Sequence, residues 1–442
     1  MNELSSSTTA SPPPATTSRR ALAIVFITVF IDLLGFGIVL PVLPRYGKAF
    51  AASDFSLGLL MASFSAMQFV FAPLWGRLSD RIGRRPVLIV GLAGSAFVYG
   101  LFAVASSLGP ESQWLGLGAL TWLFITRIGA GIAGATIPTA QAYIADVTGR
   151  QDRAKGMALI GAAFGLGFVF GPIIGAACFW GDVDPTHPPA LPGYIAAALS
   201  FSAMVWAIIS LPESLQRGAA SATPVTSGHS LFSLSRMVEA LQRPVIGTAL
   251  ISSFLTILAF AQFESTLSLL TDDLEVSLFG NSLIYAYIGL ILSLVQAGVV
   301  RRVAPRLGEF RMALTGVSIL IVGLLLIGYS GQVRSVPQLL AVLPLTVIGF
   351  SFANPAFQSL VSLHSPADEQ GGILGIGQSV AALARIAGPV IGLSVKGYGT
   401  SVPYWVGAGI MVLAWLMTWT LRGVPGAQRK TASDADGLST HT

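Results

Sequence analysis

Gly76-Arg-Leu-Ser-Asp-Arg-Ile-Gly-Arg-Arg85 follows an apolar run at residues 57–75, and Arg301-Arg-Val-Ala-Pro-Arg-Leu-Gly-Glu-Phe310 lies where another, 282–304, gives out. Both stretches are short and basic, and they carry a glycine at the same place, Gly83 and Gly308. A second echo lies further along each part: Gly171-Pro-Ile-Ile-Gly175 and Gly388-Pro-Val-Ile-Gly392. The chain reads as one unit written twice.

The sequence around these echoes decides the class. A helix needs about 20 predominantly apolar residues to cross a bilayer core. Such runs fall at 21–43, 57–75, 87–107, 115–141, 156–178 and 192–211, then at 245–270, 282–304, 312–330, 337–360, 372–395 and 403–421. The polar stretch 213–243 divides them evenly. Composition agrees: 53% of the 442 residues are hydrophobic and 10% are charged, against roughly 25% charged in soluble proteins. The expected fold class is an all-α membrane protein with twelve transmembrane helices in two pseudo-symmetric six-helix bundles, at 19–212 and 244–422. Residues 1–18 and 423–442 read as disordered tails. Arg19 and Arg20 ahead of an apolar run imitate a secretory signal, but that run is too long and lacks a small-residue cleavage site.

Lys and Arg concentrate in cytoplasmic loops. With the N-terminus inside and sides alternating, 19 of the 25 Lys and Arg residues fall on inside segments; Arg45, Lys48, Arg334 and Lys396 fall outside. The outside loops collect Asp54, Glu111, Asp182, Asp184, Asp272, Asp273 and Glu275. Both termini and the 213–243 linker are therefore expected in the cytoplasm. The net charge of +5 reads as topology and not as a nucleic-acid footprint. Cys178 is the single cysteine, so no intrachain disulfide forms. His187, His229, His364 and His441 lie outside the apolar runs. With no zinc-like cluster, nucleophile triad or phosphate-binding glycine loop, an enzyme, a metal site, a cofactor and an ATP-driven pump are not expected.

On these motifs the chain resembles the major facilitator superfamily, and within it the drug:proton antiporters with twelve helices. Residues 76–85 are similar to that superfamily's loop motif between helices 2 and 3, and Arg127-Ile-Gly-Ala-Gly131 resembles its helix 4 arginine motif. Gly161 to Gly175 resembles the helix 5 antiporter motif; Gly165, Gly167, Gly171, Pro172 and Gly175 carry it. Asp32 with Gly35, Gly37, Pro41 and Pro44 resembles the first-helix motif. Similarity to tetracycline-efflux proteins is strongest over 21–180, with Ala72-Pro73, Pro86, Ile144-Ala-Asp146 and Phe164-Gly-Leu-Gly167. One departure counts: charged or histidine positions expected in helices 3, 8 and 9 fall near Val98, Leu292 and Leu320. The tetracycline-supporting residues are therefore not carried over.

An ionisable side chain at the bilayer centre costs about 2.5–3.5 kcal/mol on insertion scales, so it tends to face a cavity or a partner. Asp32, Glu264, Arg127 and Arg385 sit inside apolar runs and are the candidates for proton coupling. Burial disfavours a charged carboxylate, which suits Asp32 to exchange a proton for substrate; a structural partnership with an arginine or backbone amides stays open. Glu264 is a second proton site, a seat for a cationic group, or a residue reaching outward to water. The resemblance implies that Arg127 acts in proton coupling; hydrogen bonding to helix ends is the alternative. Arg385 either contacts an anionic substrate, pairs with Glu264 or is structural.

The resemblance also implies a cytoplasmic gate at Gly76, Asp80, Arg81, Gly83, Arg84, Arg85 and Asp146. Asp80 would lie near the positive N-terminus of helix 11, and the arginines near Asp146. The helix 5 glycines allow close helix approach, with Pro172 bending the helix. Polar and aromatic candidates for a cavity are Phe36, Gln68, Gln141, Phe260, Gln262, Phe263, Tyr285, Tyr287, Asn354, Gln358 and Gln378. Parallel repeats place that cavity between the halves.

The reading is a secondary transporter of the inner (cytoplasmic) membrane, a proton-coupled antiporter exporting small amphipathic organic compounds by alternating access. A proton-coupled importer or facilitator of a metabolite uses the same fold. A membrane receptor or scaffold is disfavoured by the gate motif and the intramembrane charges. Expected partners are a small-molecule substrate, protons and the lipid bilayer, with no nucleic acid; a monomer is the family's usual state.

Overall fold

The computed structural model describes residues 15–109, 111–148, 153–180, 188–215, 234–366 and 369–423. The first half comprises α1 (Ala15–Val39), α2 (Leu43–Ala49), α3 (Asp54–Ile82), α4 (Arg84–Ser106), α5 (Ala119–Ala133), α6 (Ile137–Val147), α7 (Arg153–Ala177) and α8 (Leu191–Ser210). The second comprises α9 (Leu234–Gln242), α10 (Pro244–Asp273), α11 (Leu278–Leu294), α12 (Arg301–Gln332), α13 (Val336–His364), α14 (Gln370–Lys396) and α15 (Val402–Trp419). A two-stranded hairpin, β1 (Gln113–Trp114) with β2 (Leu117–Gly118), joins α4 to α5.

Among the described residues, eleven stretches are long and apolar enough to cross a membrane, one of them the 55-residue Leu278–Gln332. At 1.5 Å per residue that stretch is about 80 Å long, against a hydrocarbon core of about 30 Å, so it makes two crossings. The turn is at Gly308, whose φ of 72° breaks the helix in a conformation open to glycine. Twelve transmembrane helices in two six-helix bundles result. Each apolar run becomes a helix, with ends displaced by a few residues where polar sequence continues the spiral. Two boundaries move further: α1 begins at Ala15, inside the expected tail 1–18, and α9 is helical inside the expected linker 213–243. Residues 1–14, 216–233 and 424–442 of those segments lie outside the described residues.

Proline and glycine positions explain the packing. Pro138 lacks the N–H that would bond the Gly134 carbonyl, and the fourth crossing breaks there into α5 and α6. Neighbouring α3 satisfies the freed groups: Gln68 Nε2 donates to Gly134 O at 3.3 Å and Trp75 Nε1 to Ile132 O at 2.7 Å. In α7, Pro172 likewise frees the carbonyl of Phe168. A Cβ at Gly289 of α11 would collide with that oxygen, so the glycine lets the two halves touch. The repeat makes a parallel contact in α14, where a Cβ at Gly58 of α3 would lie 3.1 Å from the carbonyl oxygen of Pro389 itself and 2.9 Å from Val390 Cα. The two glycine–proline echoes therefore lie in the two most extensive contacts between halves, α7 with α11 and α3 with α14. Within each half they seat α7 on α1, Gly171 against Gly37, and α14 on α10, Gly388 against Leu258 O.

Candidate functional site

A cavity of about 2450 Å³ lies between the halves and is lined by both. Its mouth carries Gly76 and Met157 of the first half with Glu239, Arg243, Glu369 and Gly372 of the second. The mouth therefore opens on the face where α1 begins and α15 ends, here the termini face.

The other end is shut. α1 ends in a turn, and α2 places Arg45 across the boundary between halves. Arg45 donates from Nε to Ser268 O at 3.1 Å, from Nη1 to Val276 O at 2.8 Å and from Nη2 to Thr271 Oγ1 at 2.9 Å. Asp272 lies 3.7 Å from the same guanidinium. Burial pulls the Arg45 pKa below its ordinary value, and the field of Asp272 opposes that pull. The Pro41 carbonyl, left without a helical donor by the turn, accepts from Ser268 Oγ at 2.6 Å and Asn281 Nδ2 at 2.8 Å. Lys48 adds an exposed pair to Asp272 at 3.1 Å.

The four intramembrane charges all line the cavity. Asp32 of α1 is within hydrogen-bonding reach of the Ser95 hydroxyl on α4. One turn further along α4, the Tyr99 ring lies against the α1 backbone at Gly35. Arg127 of α5 is 2% exposed. Its guanidinium lies 4.6 Å from the Phe64 ring centroid and 5.8 Å from that of Phe36. In the second half Glu264 and Arg385 interact electrostatically across the cavity wall. The Tyr285 hydroxyl donates to Glu264 O at 2.6 Å.

Of the residues singled out for the cavity, Phe36, Gln68, Gln141, Phe260, Phe263, Tyr285, Asn354, Gln358 and Gln378 line it. Phe260 stacks on Phe350 with centroids 3.8 Å apart, and Gln358 reaches Asn354 at 3.5 Å. Gln262 and Tyr287 do not line it. Gln262 is buried against α15, with Nε2 donating to Pro403 O. Tyr287 is two residues from Tyr285, about 200° around a helix of 3.6 residues per turn, and it points outward. Leu292 lines the cavity. Val98 is instead buried against Gly129 of α5, and Leu320 against Gly349 of α13. In the helix 5 motif, Gly167, Gly171 and Gly175 face α1, whereas Gly165 faces Ser293 of α11.

The loop motif forms a network inside the first half. Arg84 pairs with Asp80 at 2.5 Å and with Asp146 at 3.3 Å, and donates to Ser79 Oγ at 2.7 Å. Asp80 is 61% exposed at its side chain. Its ion pair is with Arg84, within its own half. Arg85 Nη2 donates to Ile208 O at 2.6 Å, and Arg81 is exposed. Gly83 has a φ of 113° and adjoins Glu213, whose carboxylate accepts the N–H groups of Arg84 at 2.9 Å and Arg85 at 3.2 Å. Glu213 thereby caps the positive end of α4.

Sequence reasoning missed Ser95, Tyr99, Glu213 and Arg45. The i, i+4 spacing of Ser95 and Tyr99, polar groups on one face of an apolar helix, is a signal for the first two. Glu213 and Arg45 act across long stretches of sequence, and no local pattern marks them.

The profile described as Major Facilitator Superfamily matches residues 25–389. The chain is 30% identical to the class B tetracycline resistance protein of Escherichia coli, covering 92% of this chain and 96% of that one. The structure resembles that of the human organic anion transporter MFSD10, at 26% identity and a TM-score of 0.65, over 92% of this chain and 100% of that one. It shares the fold of the D-xylose–proton symporter, at 19% identity and a TM-score of 0.69, over 93% and 99%.

Proposed function

This chain belongs to the Major Facilitator Superfamily of multi-pass membrane transporters, and from that premise we propose that it is a proton-coupled antiporter exporting small amphipathic organic compounds. The observation that carries the reading is a cavity shut at one end and open at the other, with carboxylates from both halves, Asp32 and Glu264, on its wall. Protons reaching Asp32 or Glu264 from outside neutralise the carboxylate and favour return to the state open to the termini face. The protons leave on that face as substrate enters from it. The likeness to tetracycline resistance proteins supports export. The Lys and Arg distribution supports a cytoplasmic termini face.

Uptake of a metabolite is the rival. A sugar-type site needs many convergent hydrogen-bonding groups. Here Gln68 is occupied by Gly134 O and Gln358 by Asn354, and much of the rest of the lining is aromatic or aliphatic.

Reconstitution in liposomes with an acidic interior tests the proposal, using a panel of fluorescent amphiphiles. Accumulation driven by the gradient and lost in Asp32→Asn is expected. Movement that ignores the gradient makes the protein a facilitator. Coupling that survives Asp32→Asn but fails in Glu264→Gln moves the proton site to the second half.

A further inference from the structure

We propose that the substrate carries a negatively charged group and that Arg127 is its seat, so that the transported class is aromatic organic anions. The inference rests on the cavity being the substrate site, as argued above.

The argument starts from what Arg127 lacks. It is 2% exposed and lines the cavity, yet its Nε and Nη1 atoms find no hydrogen-bond partner among the described residues. Buried polar groups are nearly always paired, and a buried unpaired charge is costlier still. Asp32 does not supply the pairing: its side chain is held toward Ser95. The second half differs, because Arg385 has Glu264 to interact with. Among the described residues, the first half therefore holds a guanidinium with no carboxylate in direct ion-pair contact. A substrate carboxylate or sulfonate supplies that contact, in the planar two-bond geometry a guanidinium favours.

The surroundings specify the rest of the molecule. Phe64 and Phe36, 4.9 Å apart, lie beneath the guanidinium, and Phe168 meets Phe36 edge-on at 6.0 Å. Across the cavity stand Phe260 and Phe350. An aromatic body of the substrate packs among these rings while its acid group reaches Arg127. A cationic amphiphile gains from the aromatic faces but meets the unpaired guanidinium, which repels it.

The test is equilibrium binding at neutral pH to the purified full chain, with three tritiated probes of one shape. These are naphthylacetate, its neutral amide naphthylacetamide, and the cation naphthylethylammonium. Naphthylacetate is expected to bind about tenfold more tightly than the amide, a difference of about 1.4 kcal/mol, and the cation most weakly. Arg127→Gln should reduce the carboxylate's affinity by about that factor while the amide's moves far less. Arg127→Lys, which keeps the charge without the fork, should retain part of the preference and guards against a misfolded Gln variant. Tightest binding by the cation, a carboxylate preference that persists in Arg127→Gln, or no naphthylacetate binding by protein that still moves another amphiphile overturns the proposal. Binding with the expected charge preference but no proton-coupled movement leaves the anion seat standing and removes the antiport reading.

Discussion

Arg45 and Arg84 are equally enclosed, each with a side chain 10% exposed, and each satisfies several partners, but they do so on opposite faces and to different ends. Arg45 crosses from the first half to the second and bonds Ser268, Thr271 and Val276. Arg84 bonds Ser79, Asp80 and Asp146, all in its own half. At the mouth of the second half, Arg243 pairs with Glu239 and Glu369, again within its own half. The same chemistry holds two bundles together at one end and stiffens each separately at the other. Access to the cavity is therefore decided by which partner an arginine finds. The state described here is the one that opens to the termini face.

The comparison breaks most severely at the backbone contact beneath Arg45. Gly58→Leu places carbon where Pro389 and Val390 of α14 already stand, and overpacking of that kind costs about 1–3 kcal/mol. It should wedge the closed end apart. A cysteine at Ser265, buried beside the cavity, reports this through labelling by an impermeant maleimide in a Cys178→Ser background. Labelling from the face opposite the termini should rise by roughly tenfold or more. Arg45→Ala comes next: losing its bonds to the second half, at about 0.5–1.5 kcal/mol each, should raise the same labelling by about tenfold. No rise in either variant would show that the closed end is held by something else.

Arg84→Ala sharpens the contrast. Because its partners sit in one half, it should lower thermal stability by about 1–3 kcal/mol without raising labelling from the closed face. A rise comparable with that of Arg45→Ala would contradict the assignment. The smallest effect is expected at Lys48→Ala. Its pair with Asp272 is exposed, such pairs contribute about 0–1 kcal/mol, and labelling should change by less than about twofold and less again at high salt.

Most of the fold is legible in the sequence because membrane crossings are local: about 20 apolar residues either occur together or do not. The repeat of glycine and proline also fixes which helices touch, since Gly289 meets the Phe168 carbonyl that Pro172 frees and Gly58 meets the backbone of Pro389 itself. The turn at Gly308 is legible as well, since the apolar runs 282–304 and 312–330 flank it and Gly308 repeats the loop glycine Gly83. The acids and bases of the cavity are legible by cost, as charges surrounded by apolar sequence. Facing is harder to read. Tyr285 and Tyr287 look alike in a string and point to opposite sides of α11, and Gln262 is a packing residue bonded to Pro403. The contacts that set the conformational state lie more than 200 residues apart, as for Arg45 and Ser268, and nothing in the local sequence announces them.

The central claim is exchange of substrate for protons through this cavity, and the most direct measurement is the proton movement that substrate itself evokes. Liposomes containing the protein and a trapped pH dye would receive naphthylacetate outside, alongside protein-free liposomes treated in the same way. Antiport predicts that the lumen becomes more alkaline than that of the protein-free liposomes as substrate enters and protons leave, with the response lost in Asp32→Asn combined with Glu264→Gln. A lumen more acidic than that of the protein-free liposomes would mean that substrate and proton travel together, and no difference would mean that they are not coupled; either result contradicts the account.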